Sequence, residues 1–197
     1  MKSYKRKLCL VFLLASTSVL WGNSLWIYGK AQLAQVLISQ SWTTTLEQAE
    51  INTGAEVNIQ PWPWADTWPV GVLRFHNANK DLYVLDGAHG SAMAFGPGLL
   101  HGTNSREQIQ AKVISAHRDT HFSALKHVAI GDQISFQERD GQWSHYRVKS
   151  LDVEDSREGP WSIDPARDEL HLITCFPFDS ILPNGPLRYH VRALPIS

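Results

Sequence analysis

The stretch Glu169-Leu170-His171-Leu172-Ile173-Thr174-Cys175-Phe176-Pro177 is a β-rich run that ends at a cysteine. Pro177 stops the ladder, because proline has no N–H to give to a neighbouring strand. The thiol therefore stands at a strand end beside a loop, where a rigid scaffold usually presents its reactive groups. The closing run Leu187-Arg188-Tyr189-His190-Val191-Arg192-Ala193 alternates. Leu187, Tyr189, Val191 and Ala193 suit one face of a strand, and Arg188, His190 and Arg192 the other. Asn184-Gly185-Pro186 form a short turn that brings this strand beside the first. Neighbouring antiparallel strands lie about 4.8 Å apart, so the Arg188 guanidinium can reach the surroundings of the thiol.

Working outward, similar β-type runs recur at 70–75, 82–85, 112–116, 133–136 and 145–153. Turn residues separate them: Asn77-Ala78-Asn79, Gly87 to Gly90, Gly131-Asp132, Asp140-Gly141 and Gly159-Pro160. Seven or eight short strands with no long helix between them predict an all-β barrel or sandwich. The chain shows no internal repeat and no low-complexity tract.

The 197 residues are enough for one ordinary domain and an appendage. Net charge is −1, but Lys2, Lys5, Arg6 and Lys7 crowd the N-terminus, leaving 14 basic against 19 acidic residues, or −5, in the rest. A mildly acidic body lacks the basic patch or stripe that nucleic acid requires. From Leu8 to Tyr28 no residue is charged, and about 20 such residues cross a hydrocarbon layer as a helix. The run is long for a cleavable signal, so it is expected to be an uncleaved anchor. The basic tail of residues 1–7 places the N-terminus in the cytoplasm and the body outside. Residues 29–56 follow as a helical stalk, with Leu33, Val36, Leu37 and Leu46 at roughly helical spacing. Pro61-Trp62-Pro63-Trp64 and Trp68-Pro69 break that helix, and residues 57–197 form the single body domain. Cys9 lies in the apolar segment, so Cys175 is the only cysteine of the body. A lone thiol in an oxidising compartment is reactive, paired between molecules, or buried and inert.

A third segment, Val113-Ile114-Ser115-Ala116-His117-Arg118-Asp119-Thr120-His121, also runs from strand into polar residues, with the imidazole of His117 at the strand end. A free thiol of pKa about 8.5 is mostly neutral near pH 7, so a nucleophilic cysteine needs an imidazole or another cation. His117 is the candidate. Attack on a carbonyl creates an oxyanion, for which Arg188 and backbone N–H groups are candidate donors. Taken singly, each residue has an ordinary explanation: a packed small hydrophobe, an incidental imidazole, a solvated surface charge. Their joint occurrence carries the weight.

At this point the sequence resembles the sortase family of cysteine transpeptidases. Leu172-Ile173-Thr174-Cys175 looks like the family's signature around the nucleophile. Arg188 falls where the family has an arginine on its last strand, and Ala116-His117-Arg118-Asp119 looks like its histidine motif, usually Gly-His-Arg. Ala116 for Gly is a departure. The segment from His117 through Leu125 to Gly131-Asp132 most resembles sortases of Gram-negative bacteria. The resemblance implies one eight-stranded β-barrel with short helices. It implies a periplasmic enzyme, held in the inner membrane, that cleaves a C-terminal sorting signal on a secreted protein. Cys175 would form a thioester with the substrate. His117 would protonate the leaving amine and activate the incoming one, from the cell envelope or another protein. Arg188 would hold the scissile carbonyl region, Thr174 would support substrate or oxyanion, and Asp119 is a secondary candidate. No cofactor is expected, although some sortases use calcium and Asp152, Glu154 and Asp155 are acidic residues that would line such a site; as a group they read as a solvated loop.

Three other readings compete. Leu100-His101-Gly102-Thr103 is similar to the His-Gly-Thr of L,D-transpeptidases, but Cys175 lacks their Ser-x-Gly-Cys-x-Arg setting. His117 and His121 have zinc-helix spacing without the glutamate or the helix. A non-catalytic anchored barrel that binds a peptide or cell-wall component would treat Cys175 as inert.

Overall fold

The computed structural model describes residues 2–51, 57–100, 110–159, 163–180 and 185–196, without the side chains of residues 2–4, 6, 8–11, 15, 19 and 20. The His101-Gly102-Thr103 motif, Pro160, Asn184 and the end of the stalk at 52–56 lie outside the described residues. The chain divides into two compact units, Met1–Leu37 and Ile38–Ser197.

A single helix, α1 (Lys2–Ile51), runs through the expected anchor and stalk with no break between them. Among the described residues no helix is long and apolar enough to cross a membrane; residues 8–11, 15, 19 and 20 of the expected anchor are among those without described side chains. The apolar face expected for the stalk is shifted. Leu33 and Val36 are exposed, and within the second unit the buried residues of α1 are Ile38, Ser41, Trp42 and Thr45. Those four recur at intervals of three and four, the spacing of one helix face. Ser41 donates to the carbonyl of Ile59. Trp42 Nε1 donates to Gln137 Oε1 at 3.3 Å.

The body is a closed barrel. Its strands are β1 (Pro69–Phe75), β2 (Lys80–Asp86), β3 (Gly98–Leu100), β4 (Lys112–Ser115), β5 (Gln133–Gln137), β6 (Trp143–Asp155), β7 (Leu170–Cys175) and β8 (Leu187–Pro195). Around the barrel the order is β1-β2-β3-β4-β7-β8-β6-β5. Two pairings, β2 with β3 and β4 with β7, are parallel, and the others are antiparallel. A short helix, α2 (Gly90–Met93), precedes β3, and a 3-10 turn, His121–His127, follows β4.

Two departures from the sequence expectation have simple causes. β3 is only three residues long and sits in Phe95-Gly96-Pro97-Gly98-Leu99-Leu100, whose glycines and proline read as a turn. Gly98 is there because its backbone passes against that of Gly87 and Ala88, where a Cβ would overlap the chain. β6 continues through Glu154 and Asp155, so those carboxylates lie on a strand and not in a solvated loop. A long partner keeps them there: β8 pairs with β6 from Tyr146 to Asp155.

Alternation sets the core. Leu73, Ile114, Phe136, Tyr146, Leu170, Leu172, Val191 and Ala193 point inward with relative exposure of 1% or less. Phe122 and Leu125 of the 3-10 turn, both 0% exposed, belong to the same core cluster. Each of the buried leucine, isoleucine, valine and phenylalanine side chains contributes about 1.5–3 kcal/mol by leaving water. This core fixes the β4–β7–β8 side of the wall, which carries the residues singled out above.

Candidate active site

Register brings the three candidates to one level. β4 and β7 run parallel, pairing Lys112 with Leu170 through Ser115 with Ile173. The Ala116 N–H then donates to the Ile173 carbonyl at 3.3 Å, and two further residues in the same register set His117 level with Cys175. On the other side β7 pairs with β8, and Cys175 is the direct partner of Arg188. The cysteine thus stands on the middle strand of three, with the histidine at the end of one neighbour and the arginine at the start of the other.

All three share the outer face. Leu170 and Leu172 of β7, Val191 and Ala193 of β8, and Ile114 and Ala116 on the β4 side belong to the core cluster. Strand periodicity of two turns Cys175, Arg188 and His117 away from it. Cys175 is half-buried and His117 exposed. The Arg188 guanidinium is steadied by the turn before β8: Nη1 donates to Gly185 O at 2.5 Å and Leu187 O at 3.0 Å. Asp119 is exposed in the turn after His117.

Thr174 points the opposite way from Cys175. Its hydroxyl donates to Ala116 O at 2.7 Å, and it is 1% exposed. The contact with substrate or oxyanion expected of Thr174 is not the one its hydroxyl makes: it is turned inward onto Ala116, the residue before His117. The loop after Cys175 is tied to the histidine segment as well. Arg118 Nη2 donates to Ser180 O at 2.7 Å, and Lys126 Nζ lies 2.7 Å from Asp179 Oδ1. The first of these is a charge-assisted bond from a half-buried side chain; the second is an exposed pair of little energetic weight. Neither was foreseen, because no local signal links residues more than 50 positions apart.

Further along the same outer face lies a polar chain that the alternation of β7 and β8 could have located. His190 Nδ1 is 3.1 Å from Glu154 Oε1, and His171 Nδ1 is 2.9 Å from His190 Nε2. The two rings stack with centroids 5.1 Å apart. Arg192 grips Glu169 with two bonds of 2.6 Å. Burial is the main reason that the His171 pKa falls to about 4, with His190 and Arg192 adding to the shift and Glu169 opposing it. Arg192, chiefly through its hydrogen bonds, holds the Glu169 carboxyl below the usual range.

His121, the second residue of the spacing considered for zinc, opens the 3-10 turn, its pKa lowered chiefly by burial, with Lys80 and His117 adding to the shift. Among the described residues no three histidine, cysteine or acidic side chains converge to hold a metal ion. Of the residues considered for calcium, Asp155 is engaged by Arg157 at 2.5 Å and Glu154 by His190.

The described residues thus form a closed eight-stranded barrel with an outward cysteine level with a histidine and an arginine. A family model for the sortase domain matches residues 73–196, well over half of the chain. Sortase D of Bacillus subtilis (strain 168) is 28% identical over 119 residues, 60% of this chain and 60% of that protein. The chain therefore spans less than two thirds of this relative's length. The lid mutant of Streptococcus agalactiae sortase C1 matches with a TM-score of 0.57 at 18% identity, covering 87% of this chain and 88% of that one. Sortase A from Corynebacterium diphtheriae matches at 0.55 with 20% identity, covering 84% and 83%. At those identities the structural likeness speaks for the fold alone. The chain belongs to the sortase family.

Proposed function

We propose that the protein is a cysteine transpeptidase that cleaves a C-terminal sorting signal on a secreted protein and passes the acyl group to an amine or to water. The observation that carries this is the register of β4, β7 and β8, which sets Cys175 between His117 and Arg188 on one outward face. Cys175 Sγ attacks the scissile carbonyl carbon, and His117 gives a proton to the departing amine as the thioester forms. The acceptor amine then loses a proton to His117 as its nitrogen displaces the sulfur. Arg188 stabilises the carbonyl oxygen as it gains charge. Thr174 acts by holding Ala116, and with it the approach to His117. Asp119, exposed beside His117, is a secondary candidate.

The segmental proposal stands with it: a cytoplasmic tail of residues 1–7, an uncleaved inner-membrane anchor at 8–28, a stalk at 29–56 and a periplasmic catalytic domain at 57–197, of the kind found in Gram-negative bacteria. The uncharged run from Leu8 to Tyr28 behind four basic residues supports this topology. No cofactor is assigned to the reaction.

The test is to trap a Cys175 thioester with a secreted protein that ends in a motif, an apolar segment and a basic tail, encoded beside this gene. Labelling by a methanethiosulfonate reagent should abolish cleavage, and Cys175→Ala should abolish it with an unchanged circular dichroism spectrum. Cleavage that survives Cys175→Ala would remove the nucleophile assignment.

A further inference from the structure

The ladder between β4 and β7 stops short of the site. Among the described residues its last backbone bond runs from the Ala116 N–H to the Ile173 carbonyl at 3.3 Å, one residue before His117 and two before Cys175. Beyond it one chain turns into Arg118-Asp119-Thr120 and the 3-10 turn, the other into Phe176-Pro177-Phe178. Strand ends that have left their ladder fray unless something else fastens them.

Two side-chain bonds take over at that point, one on each side of the pair. The Thr174 hydroxyl donates to Ala116 O at 2.7 Å and joins the residues that immediately precede Cys175 and His117. Arg118 Nη2 donates to Ser180 O at 2.7 Å and joins the residue that follows His117 to the loop that follows Cys175. Arg118 is half-buried, so water competes less for its bond than for the exposed Lys126–Asp179 pair in the same loop.

Both segments that Arg118 links are themselves anchored. In the loop, the Phe176 N–H donates to Leu187 O at 3.0 Å, and Phe178 packs on the core and edge-on to Tyr189 with ring centroids 5.2 Å apart. In the histidine segment, His117 O accepts the N–H of the fully buried Phe122 at 3.0 Å. The loop gripped at Ser180 also ends at Gly185, whose carbonyl takes Arg188 Nη1. It therefore runs from the thiol to the guanidinium, and its one half-buried charged link to the third group is Arg118 among the described residues.

We propose that Arg118 is a positioning residue of the acyl transfer, holding the His117 imidazole at the distance from Cys175 that the proton transfers require. The proposal rests on the acyl-transfer function above. A proton passes between heavy atoms about 2.6–3.2 Å apart, so loss of the outer link penalises the chemical step and leaves substrate binding nearly as it was.

Geometry and turnover are measured separately, with the full chain in neutral detergent micelles and far below the melting midpoint. Geometry is read in a protein carrying Cys9→Ser and His117→Cys, where thiols at 117 and 175 close a disulfide in a glutathione buffer. The equilibrium constant gives the effective concentration of one strand end at the other. Adding Arg118→Met should lower that constant about fivefold or more, and Arg118→Lys, which keeps a cationic donor, by less than about twofold. With His117 and Cys175 in place, Arg118→Met should lower kcat for the secreted substrate about tenfold, the loss of one charge-assisted bond, with KM within about twofold. Arg118→Lys should recover most of kcat, and Lys126→Met should change neither constant. An unchanged disulfide equilibrium in Arg118→Met, a rise in KM with kcat kept, or an equal effect of Lys126→Met overturns the proposal. A parent chain that forms no Cys175 thioester, while the disulfide constant still falls in Arg118→Met, would instead refute the catalytic function, and with it the part of Arg118 in catalysis, and leave the link itself standing.

Discussion

Replacing Thr174 by valine removes one hydroxyl and should show how tightly the nucleophile strand is fastened to the histidine strand. The hydroxyl lies 2.7 Å from Ala116 O, with Thr174 1% and Ala116 4% exposed. In Thr174→Val a methyl group faces that carbonyl, and water cannot take the donor's place at this depth. Leaving a buried acceptor unsatisfied costs about 1–3 kcal/mol. In a chain of this size 1 kcal/mol moves the melting temperature by roughly 2–4 °C. The expected fall for the mid-range loss is therefore about 4–8 °C. Thr174→Ser keeps the hydroxyl and loses one methyl, so it should cost about 0.8 kcal/mol.

Urea denaturation of the three proteins gives the stabilities, and the rate of thioester formation gives the functional readout. Valine should slow the thioester step as well, because Ala116 immediately precedes His117. Serine should not. If valine falls within 0.5 kcal/mol of the parent, or serine is as damaging as valine, the 2.7 Å contact does not tie β7 to β4.

Three further outcomes are expected. Arg188→Lys should lower turnover of the sorting-signal substrate at least tenfold with an unchanged melting temperature, because a planar fork of donors becomes a point charge; near-normal turnover would exclude a carbonyl-orienting role. Arg118→Met should raise hydrogen exchange at residues 178–180 about tenfold, the loss of one charge-assisted bond, whereas Lys126→Met should leave it unchanged; equal effects would contradict the difference in burial. The folded-state pKa of His171, about 4, lies below the ordinary 6.5. As pH falls the unfolded chain takes up that proton first, so stability complete above pH 6.5 is lost towards pH 4, by at most roughly 3 kcal/mol. Against His171→Gln, urea midpoints should converge over that window, and parallel curves would show that the ring is not held neutral.

Legibility in the sequence followed the range of the interactions. β7 and β8 could be read because alternation is local: Leu170 and Leu172 against Val191 and Ala193 announce an inner face, and the polar face follows by parity. The candidate residues were found from short motifs at strand ends. β3 was missed because three residues between glycines and a proline carry too little pattern, and the strand exists only through pairing on both sides with β2 and β4. The stalk's apolar stripe misled, since Leu33 and Val36 are exposed whereas Ser41 and Thr45 are buried. A helix buries whichever face its neighbours cover, and small hydroxyl residues fit a close approach.

What no local pattern conveys is level. His117 and Cys175 are 58 residues apart, and their shared height depends on β4 and β7 being parallel neighbours. An antiparallel pairing of the same two strands would have put the two ends on opposite rims of the barrel. The parallel register therefore does as much for the site as the identity of its residues. It also explains why the inward neighbours Ala116 and Thr174 are bound to each other: any slip between β4 and β7 would break that buried bond before it separated the two side chains outside. Glu154 depends on level in the same way. Its chemistry is that of an ordinary acidic strand residue, and only the antiparallel ladders of β6 with β8 and β8 with β7 bring it to the height of the thiol.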